Sequence, residues 1–272
     1  MDERDMAAAE NSLSVLFITF NRSDLLQIAF DAFRNRAGLD NSRTEFIVSD
    51  DASAIAHVDR IRSMPFDMHL LADRNAGLGN NQNKAIAAAT GTLILQVQDD
   101  CEFVGDTDLM ANAFEILKAE PGVGIVQFND LTPHIPHEVR TLQNGTVYRV
   151  FRNDLQEIAR NCDERPYSDQ PHLKRAAFCR DIGPYREAVP MTVMELDFKR
   201  RVACQERWTV AVIVGRPSFV HIGAERSFNP GAIRSRRLAR IEAVPIAGGI
   251  FKFGRPYAKF CRDWLRLRLG RR

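Results

Sequence analysis

Four short apolar runs in the N-terminal third of the chain each end in a polar cluster. Leu-Ser-Val-Leu-Phe-Ile-Thr over 13–19 stops at Asn21-Arg22-Ser23-Asp24, and Glu45-Phe46-Ile47-Val48-Ser49 stops at Asp50-Asp51. Met68-His69-Leu70-Leu71 stops at Asp73-Arg74-Asn75, and Leu93-Ile94-Leu95-Gln96-Val97 stops at Gln98-Asp99-Asp100. Nearly continuous apolar runs of this length predict strands covered on both faces. Helical periodicity fills the intervals: over 24–36 with Ser23 as cap, near 54–62 with Ser53 as cap, over the alanine-rich 79–90, and over 106–119, before a strand at 123–126. Alternating strand and helix imply an α/β fold with a largely parallel sheet, whose ligand crevice lies beyond the carboxyl ends of the strands. The polar clusters stand at that edge, so a nucleotide-like site is expected there.

Beyond 129 the pattern loosens into Pro, His and charged residues. The Asn144-Gly145 turn predicts a hairpin strand at 146–151. Helical periodicity returns over 171–180 and 193–206, followed by strands at 209–214 and 219–221. Tyr167-Ser168-Asp169-Gln170-Pro171-His172 is expected to line the cleft on the acceptor side.

Composition narrows the class without changing this outline. With 272 residues, 45% hydrophobic and 26% charged, the chain is neither disordered nor low in complexity. No apolar run approaches the ~20 residues of a membrane-spanning helix. The opening Met1-Asp2-Glu3-Arg4-Asp5 fits no signal peptide, so export is not expected and a cytoplasmic location is. The five cysteines, Cys101, Cys162, Cys179, Cys204 and Cys261, include no C-x-x-C pair, which points to free thiols in a reducing compartment.

Charge does change the picture. The net charge is +2, yet residues 226–272 carry 13 Lys/Arg against two acids, leaving −9 on the rest. Within 251–272, Phe260, Trp264, Leu265, Leu267 and Leu269 interleave with Lys259, Arg262, Arg266 and Arg268. That interleaving suits a helix lying on an anionic membrane surface, with a helix docked on the domain as the other reading. No nucleic-acid module accompanies the charge, so nucleic acid is not an expected partner.

Individually the polar clusters are weak signals. Adjacent carboxylates at Asp99 and Asp100 suit a hard divalent cation held against phosphate, or a helix cap. Asp50-Asp51-Ala52-Ser53 suits hydrogen bonds to a base or ribose, or a turn. Arg74-Asn75-Ala76-Gly77-Leu78-Gly79 permits close backbone approach to phosphate, but matches neither a dinucleotide fingerprint nor a P-loop. Glu195 and Asp197 lie two apart near a predicted helix start, and His221 follows a strand.

Their order is more specific than any one of them. Phe17-Ile18-Thr19-Phe20-Asn21-Arg22, Val48-Ser49-Asp50-Asp51-Ala52-Ser53, Arg74-Asn75-Ala76-Gly77, Gln98-Asp99-Asp100, Glu195-Leu196-Asp197 and His221 together resemble the family 2 glycosyltransferases of GT-A fold, over roughly 13–222. The resemblance and the charge pattern together imply a flexible N-terminus over 1–12, a glycosyltransferase domain over 13–225 and a basic extension over 226–272. Within the domain, 13–128 would bind nucleotide and 129–225 the acceptor. It implies donor contacts from Thr19, Asn21, Arg22, Asp50, Asp51, Arg74, Asn75, Gly77, Asn83, Gln98 and Asp99. Gln98 stands where the family's metal motif has its first acid. By resemblance Asp100, with His221, holds Mn²⁺ or Mg²⁺, and Glu195 is the general base with Asp197 as runner-up.

The implied activity is metal-dependent, inverting transfer of a hexosyl group from a UDP-type nucleotide-sugar to a hydroxyl of a glycan or lipid-linked acceptor, in cell-surface polysaccharide synthesis at the inner membrane face. Two rivals stay open. One is a catalytically silent nucleotide-sugar-binding module; the other is a nucleotidyltransferase of similar fold, which needs a glycine-rich basic loop that Phe17–Arg22 does not provide.

Overall fold

The computed structural model describes residues 12–129, 136–151 and 167–223. The N-terminal 1–11 and the basic 224–272, with the expectations placed on them, lie outside the described residues. The chain divides into a unit over Met1–Ile222 and a second over Gly223–Arg272. Every described strand and helix belongs to the first unit.

The expected alternation is present. Strand β1 (Leu13–Thr19) leads to helix α1 (Ser23–Arg36), β2 (Thr44–Asp50) to α2 (Ile55–Arg62), β3 (Met68–Leu71) to α3 (Leu78–Ala88), and β4 (Leu93–Gln98) through a short β5 (Cys101–Phe103) to α4 (Asp108–Ala119). Then come β6 (Val123–Gln127), the hairpin β7 (His137–Thr141) and β8 (Val147–Phe151), β9 (His172–Arg175), α5 (Ala176–Ile182), α6 (Met191–Ala203), β10 (Thr209–Ile213) and β11 (Phe219–His221).

Nine strands form one sheet in the order β3-β2-β1-β4-β9-β6-β10-β8-β7, and β5 pairs with β11 separately. The first four are parallel, and β9 runs antiparallel between β4 and β6. Strand β1 explains why its apolar run does not alternate. Leu13, Val15 and Phe17 enter one core with α1 and α4, while Leu16 and Ile18 enter another with Ala85 and Ile86 of α3. Side chains alternate across a strand, so a strand covered on both sides must be apolar at odd and even positions alike. On the α1 face Phe17 packs edge-on against Phe30 and Phe66, with ring centroids 5.6 Å apart in both pairs.

Three local expectations are corrected. Residues 172–175 are strand, not the start of a helix. Four residues carry too little periodicity to be read, and β9 is made by pairing on both edges. Ser23 is the first residue of α1, and its hydroxyl meets His57 Nδ1 at 2.9 Å across to α2 instead of capping. Ser53 does not cap α2 either. That helix begins at Ile55, and Asn21 Oδ1 accepts the N–H of Ala54 at 2.7 Å. A cap supplied from a segment 33 residues away is invisible to a local reading.

Candidate active site

Strand order reverses direction of growth at β1, which has β2 on one side and β4 on the other. Open α/β sheets bind ligands at such a point. The polar residues ending β1, β2 and β4 meet there.

At the end of β4, Asp99 and Asp100 are buried, and Arg22 from the β1–α1 turn spans them. Its Nη2 lies 2.5 Å from Asp99 Oδ1, its Nε donates to Asp99 Oδ2 at 3.2 Å, and its Nη1 lies 2.5 Å from Asp100 Oδ2. Asp99 Oδ2 also accepts from the Thr19 hydroxyl at 2.8 Å and the Phe20 N–H at 3.3 Å. Burial pushes the Asp99 carboxyl up to about 7 against the pull of Arg22. On the other side of Asp100, His221 Nε2 approaches Oδ2 at 3.2 Å. The pairing of β11 with β5 brings it there, since Cys101 and His221 are in register. Burial raises Asp100, but the His221 hydrogen bond and Arg22 outweigh it and hold the carboxyl below its ordinary value. The same hydrogen bond raises the imidazole.

The carboxylate oxygen at this strand end suits Mn²⁺ or Mg²⁺ with phosphate oxygens beside it, while the imidazole nitrogen suits the softer Mn²⁺ better than Mg²⁺. Among the described residues no group of three His, Cys, Asp or Glu gathers for a metal. Asp100 and His221 together offer two donors, so a cation held there would take its remaining ligands from outside this pair.

The Asp50-Asp51 turn is organised inward. Asp50 accepts the N–H of Ser53 at 2.8 Å and also its hydroxyl, while Asp51 accepts the N–H groups of Ala76 and Gly77, each at 2.9 Å. Asp51 thus shapes the β3–α3 loop, where Gly77 takes φ +88°, a left-handed conformation that favours glycine. Asn75 Nδ2 donates to the Asp51 carbonyl at 3.2 Å, and Arg74 is exposed on that loop. Asn21, at φ +53°, receives the Ser53 hydroxyl oxygen on its N–H at 2.7 Å. Asn83 lies apart from these groups: it clamps Tyr185, donating to its carbonyl at 2.9 Å and accepting its N–H at 2.8 Å.

Glu195 and Asp197 face different neighbours. Glu195 lies in the second turn of α6, and its Oε1 accepts the main-chain N–H of Asp169 at 3.3 Å. Asp197 pairs with Arg201 Nε at 3.0 Å, and Arg201 in turn donates to the carbonyls of Ile182 and Pro184. Asp197 therefore belongs to the anchor of α6 on the preceding loop.

Asp169 was not singled out as a site residue by the sequence, yet much converges on it. Its carboxylate accepts from Gln82 at 2.7 Å, Gln96 at 3.1 Å, Gln98 at 3.2 Å and the Tyr167 hydroxyl at 3.2 Å. Lys174 Nζ joins the network through Gln96 Oε1 at 2.8 Å. Burial pushes the Asp169 carboxyl up to about 6. Gln98 thus connects the β4 end, through Asp169, to Glu195. Of the segment 167–172, Tyr167 and Asp169 are buried in this network, His172 is buried with its Nδ1 on the Gln170 carbonyl, and Gln170 is exposed. Gln96 and Gln98 in the otherwise apolar β4 were the available signal, but nothing local pairs them with Gln82 of α3 or with Asp169. A separate cavity of about 410 Å³ lies between α3, α5 and Phe198; of the expected donor contacts, Asn83 lines it.

No curated protein matches the sequence. Among solved structures, S. aureus TarS 1-349 is similar at 16% identity and a TM-score of 0.53, covering 79% of this chain and 61% of that one. A structure of TarS 1-349 in complex with UDP-GlcNAc matches at 15% identity and a TM-score of 0.52, over 80% of this chain and 61% of that one. The Pyrobaculum calidifontis mannosyltransferase PcManGT, in complex with GDP-Man and Mn²⁺, matches at 17% identity and a TM-score of 0.52, over 96% of this chain and 81% of that one. The chain thus spans about three fifths of the TarS 1-349 length, and likeness at this identity establishes the GT-A fold. The model of the family described as Glycosyl transferase family 2 matches residues 14–157, more than half of the chain and all three strand ends that carry Thr19, Asp50 and Asp100. The protein belongs to glycosyl transferase family 2.

Proposed function

We propose that this chain is a metal-dependent, inverting glycosyltransferase that moves a hexosyl group from a UDP-type nucleotide-sugar to an acceptor hydroxyl. The observation that carries the reading is the pairing of two chemistries around β4: Asp100 with His221 on one side, and Gln98 linked through Asp169 to Glu195 on the other. Thr19, Asn21, Arg22, Asp50, Asp51, Arg74, Asn75, Gly77 and Asp99 form the nucleotide side of the cleft in this reading.

Asp100 and His221 would hold the divalent cation, which when bound neutralises the departing diphosphate. Glu195 accepts the proton of the acceptor hydroxyl while that oxygen bonds to the anomeric carbon and the bond to the diphosphate oxygen breaks. A single displacement of this kind inverts the anomeric centre. Glu195 is preferred to Asp197 because Arg201 holds Asp197 against the neighbouring loop. The residue Asp169 fixes the Glu195 carboxylate through its N–H without entering the reaction.

The domain runs over 13–225, with a basic extension over 226–272. Its 251–272 segment serves an anionic membrane surface at the cytoplasmic face, where a glycan or lipid-linked acceptor for cell-surface polysaccharide is presented. Among the described residues no helix is long and apolar enough to cross a membrane.

Calorimetry of UDP binding, with and without Mn²⁺, tests the reading on wild type and Asp100→Ala. Binding that Mn²⁺ strengthens in wild type but not in the variant is expected. UDP binding indifferent to both Mn²⁺ and Asp100 would overturn the metal assignment. Metal-dependent binding without turnover of any donor would favour the silent module.

A further inference from the structure

A cation at Asp100 and the guanidinium of Arg22 compete for one oxygen. Asp100 Oδ2 already has Arg22 Nη1 at 2.5 Å and His221 Nε2 at 3.2 Å, and its side chain is 3% exposed. The other oxygen, Oδ1, faces the Cys101 thiol at 3.9 Å in the buried interior, so a doubly charged ion reaching this carboxylate would sit beside the guanidinium. Like charges in contact at a poorly hydrated site repel strongly. Yet the Arg22 side chain is 15% exposed and its main chain is tied into α1 by the bond from the Leu26 N–H at 3.0 Å. The guanidinium can therefore swing out about its own side-chain torsions with the backbone left in place. The planar fork that spans Asp99 and Asp100 equally matches phosphate oxygens.

We infer that Arg22 is a displaceable counter-cation: it neutralises Asp99 and Asp100 before the donor arrives, suppresses divalent-cation binding, and releases Asp100 when a nucleoside diphosphate takes the guanidinium. This rests on the reading of Asp100 as a cation ligand. Nucleotide and cation then bind in a coupled way, each raising the affinity for the other. The arginine's place after β1 and the carboxylates' place after β4 are neighbours only because β1 and β4 are paired.

The test uses Mn²⁺ alone, followed by the electron paramagnetic resonance signal of the free ion, on the full chain without nucleotide. Arg22→Gln is expected to bind Mn²⁺ at least about tenfold more tightly than wild type. Because that variant leaves Asp99 buried without its cation, the double variant Arg22→Gln with Asp99→Asn serves where the single one does not fold. Arg22→Lys, which keeps a charge but cannot fork across two carboxylates, should fall between. Mn²⁺ affinity in the Gln variants no tighter than in wild type would overturn the inference. The underlying assignment is judged separately by adding UDP. If Mn²⁺ then binds wild type but not Asp100→Ala, Asp100 remains the ligand whatever Arg22 does. If Asp100→Ala binds as wild type does, the assignment itself has failed.

Discussion

The Oε1 atom of Glu195 accepts the main-chain N–H of Asp169 at 3.3 Å. A main-chain donor orients a carboxylate without neutralising it, and Lys199 Nζ, one turn further along α6, pairs with the same oxygen at 4.0 Å. Glu195 is thus held in place from outside its own helix.

Replacing that carboxylate by an amide keeps the shape and the Asp169 hydrogen bond but removes the proposed base. A positioned general base contributes about 10²–10⁴-fold. Glu195→Gln should lower turnover by that range while UDP affinity stays within about twofold. Release of UDP from a panel of UDP-sugars, read beside calorimetry, checks both halves. Near-normal turnover in a folded variant would remove Glu195 from this role.

Asp169 offers a test of the buried network in which two substitutions part company. Asp169→Ala strips the acceptor from the buried amides of Gln82 and Gln96, while Gln98 keeps the Asp169 carbonyl at 3.1 Å; at about 1–3 kcal/mol per stranded group, a loss of about 2 kcal/mol or more is expected. Asp169→Asn should cost about 1 kcal/mol. Gln82 Oε1 has no partner among the described residues, so its amide can turn over and accept from the new Asn amide. Urea denaturation of the two variants separates these outcomes, and equal losses would contradict the argument.

His172 carries a pH signature. It is fully buried, its Nδ1 donates to the Gln170 carbonyl at 2.7 Å, and its Nε2 has no partner among the described residues. Burial first, then the nearby Lys174, depresses its pKa from 6.5 to about 3. The unfolded chain takes up a proton near 6.5 that the folded chain refuses, so acid favours unfolding between those values. By linkage this amounts to about 2 kcal/mol at pH 5 relative to well above pH 7. Unfolding free energies at pH 7.5 and pH 5 should fall less in His172→Gln than in wild type by about that amount. An unchanged difference would mean the imidazole is protonated in the fold.

Asn21 joins two turns from an unusual backbone position. Its Oδ1 caps α2 through the Ala54 N–H, and its φ of +53° is one that Asn tolerates better than most residues. Asn21→Ala should cost about 1 kcal/mol for the cap and about 1 more for the left-handed backbone, near 2 in all. The midpoint of urea unfolding measures it. Asn21→Gly, relieved of the backbone part, should recover roughly half.

The parts of this protein that the sequence determined alone are those whose cause is local or periodic. Apolar runs without alternation required strands covered on both faces, and the polar clusters closing them had to lie along one edge of a parallel sheet. Thr19, Asp50 and Asp100 were legible for that reason, as was the family resemblance carried by their order. Tertiary structure alone decided which side chains those clusters meet. Gln98 finds Asp169 across 71 residues, Arg22 finds Asp100 across 78, and His172-Leu173-Lys174-Arg175 becomes a strand because β4 and β6 pair with its two edges. Asp197, two positions from Glu195, is drawn off by Arg201, whose own fork is fixed by the carbonyls of Ile182 and Pro184. The physical reason is range: burial pattern and turn chemistry act over a few residues and leave their period in the sequence. A hydrogen bond between distant segments leaves no period, and exists only once the sheet has set its strands side by side.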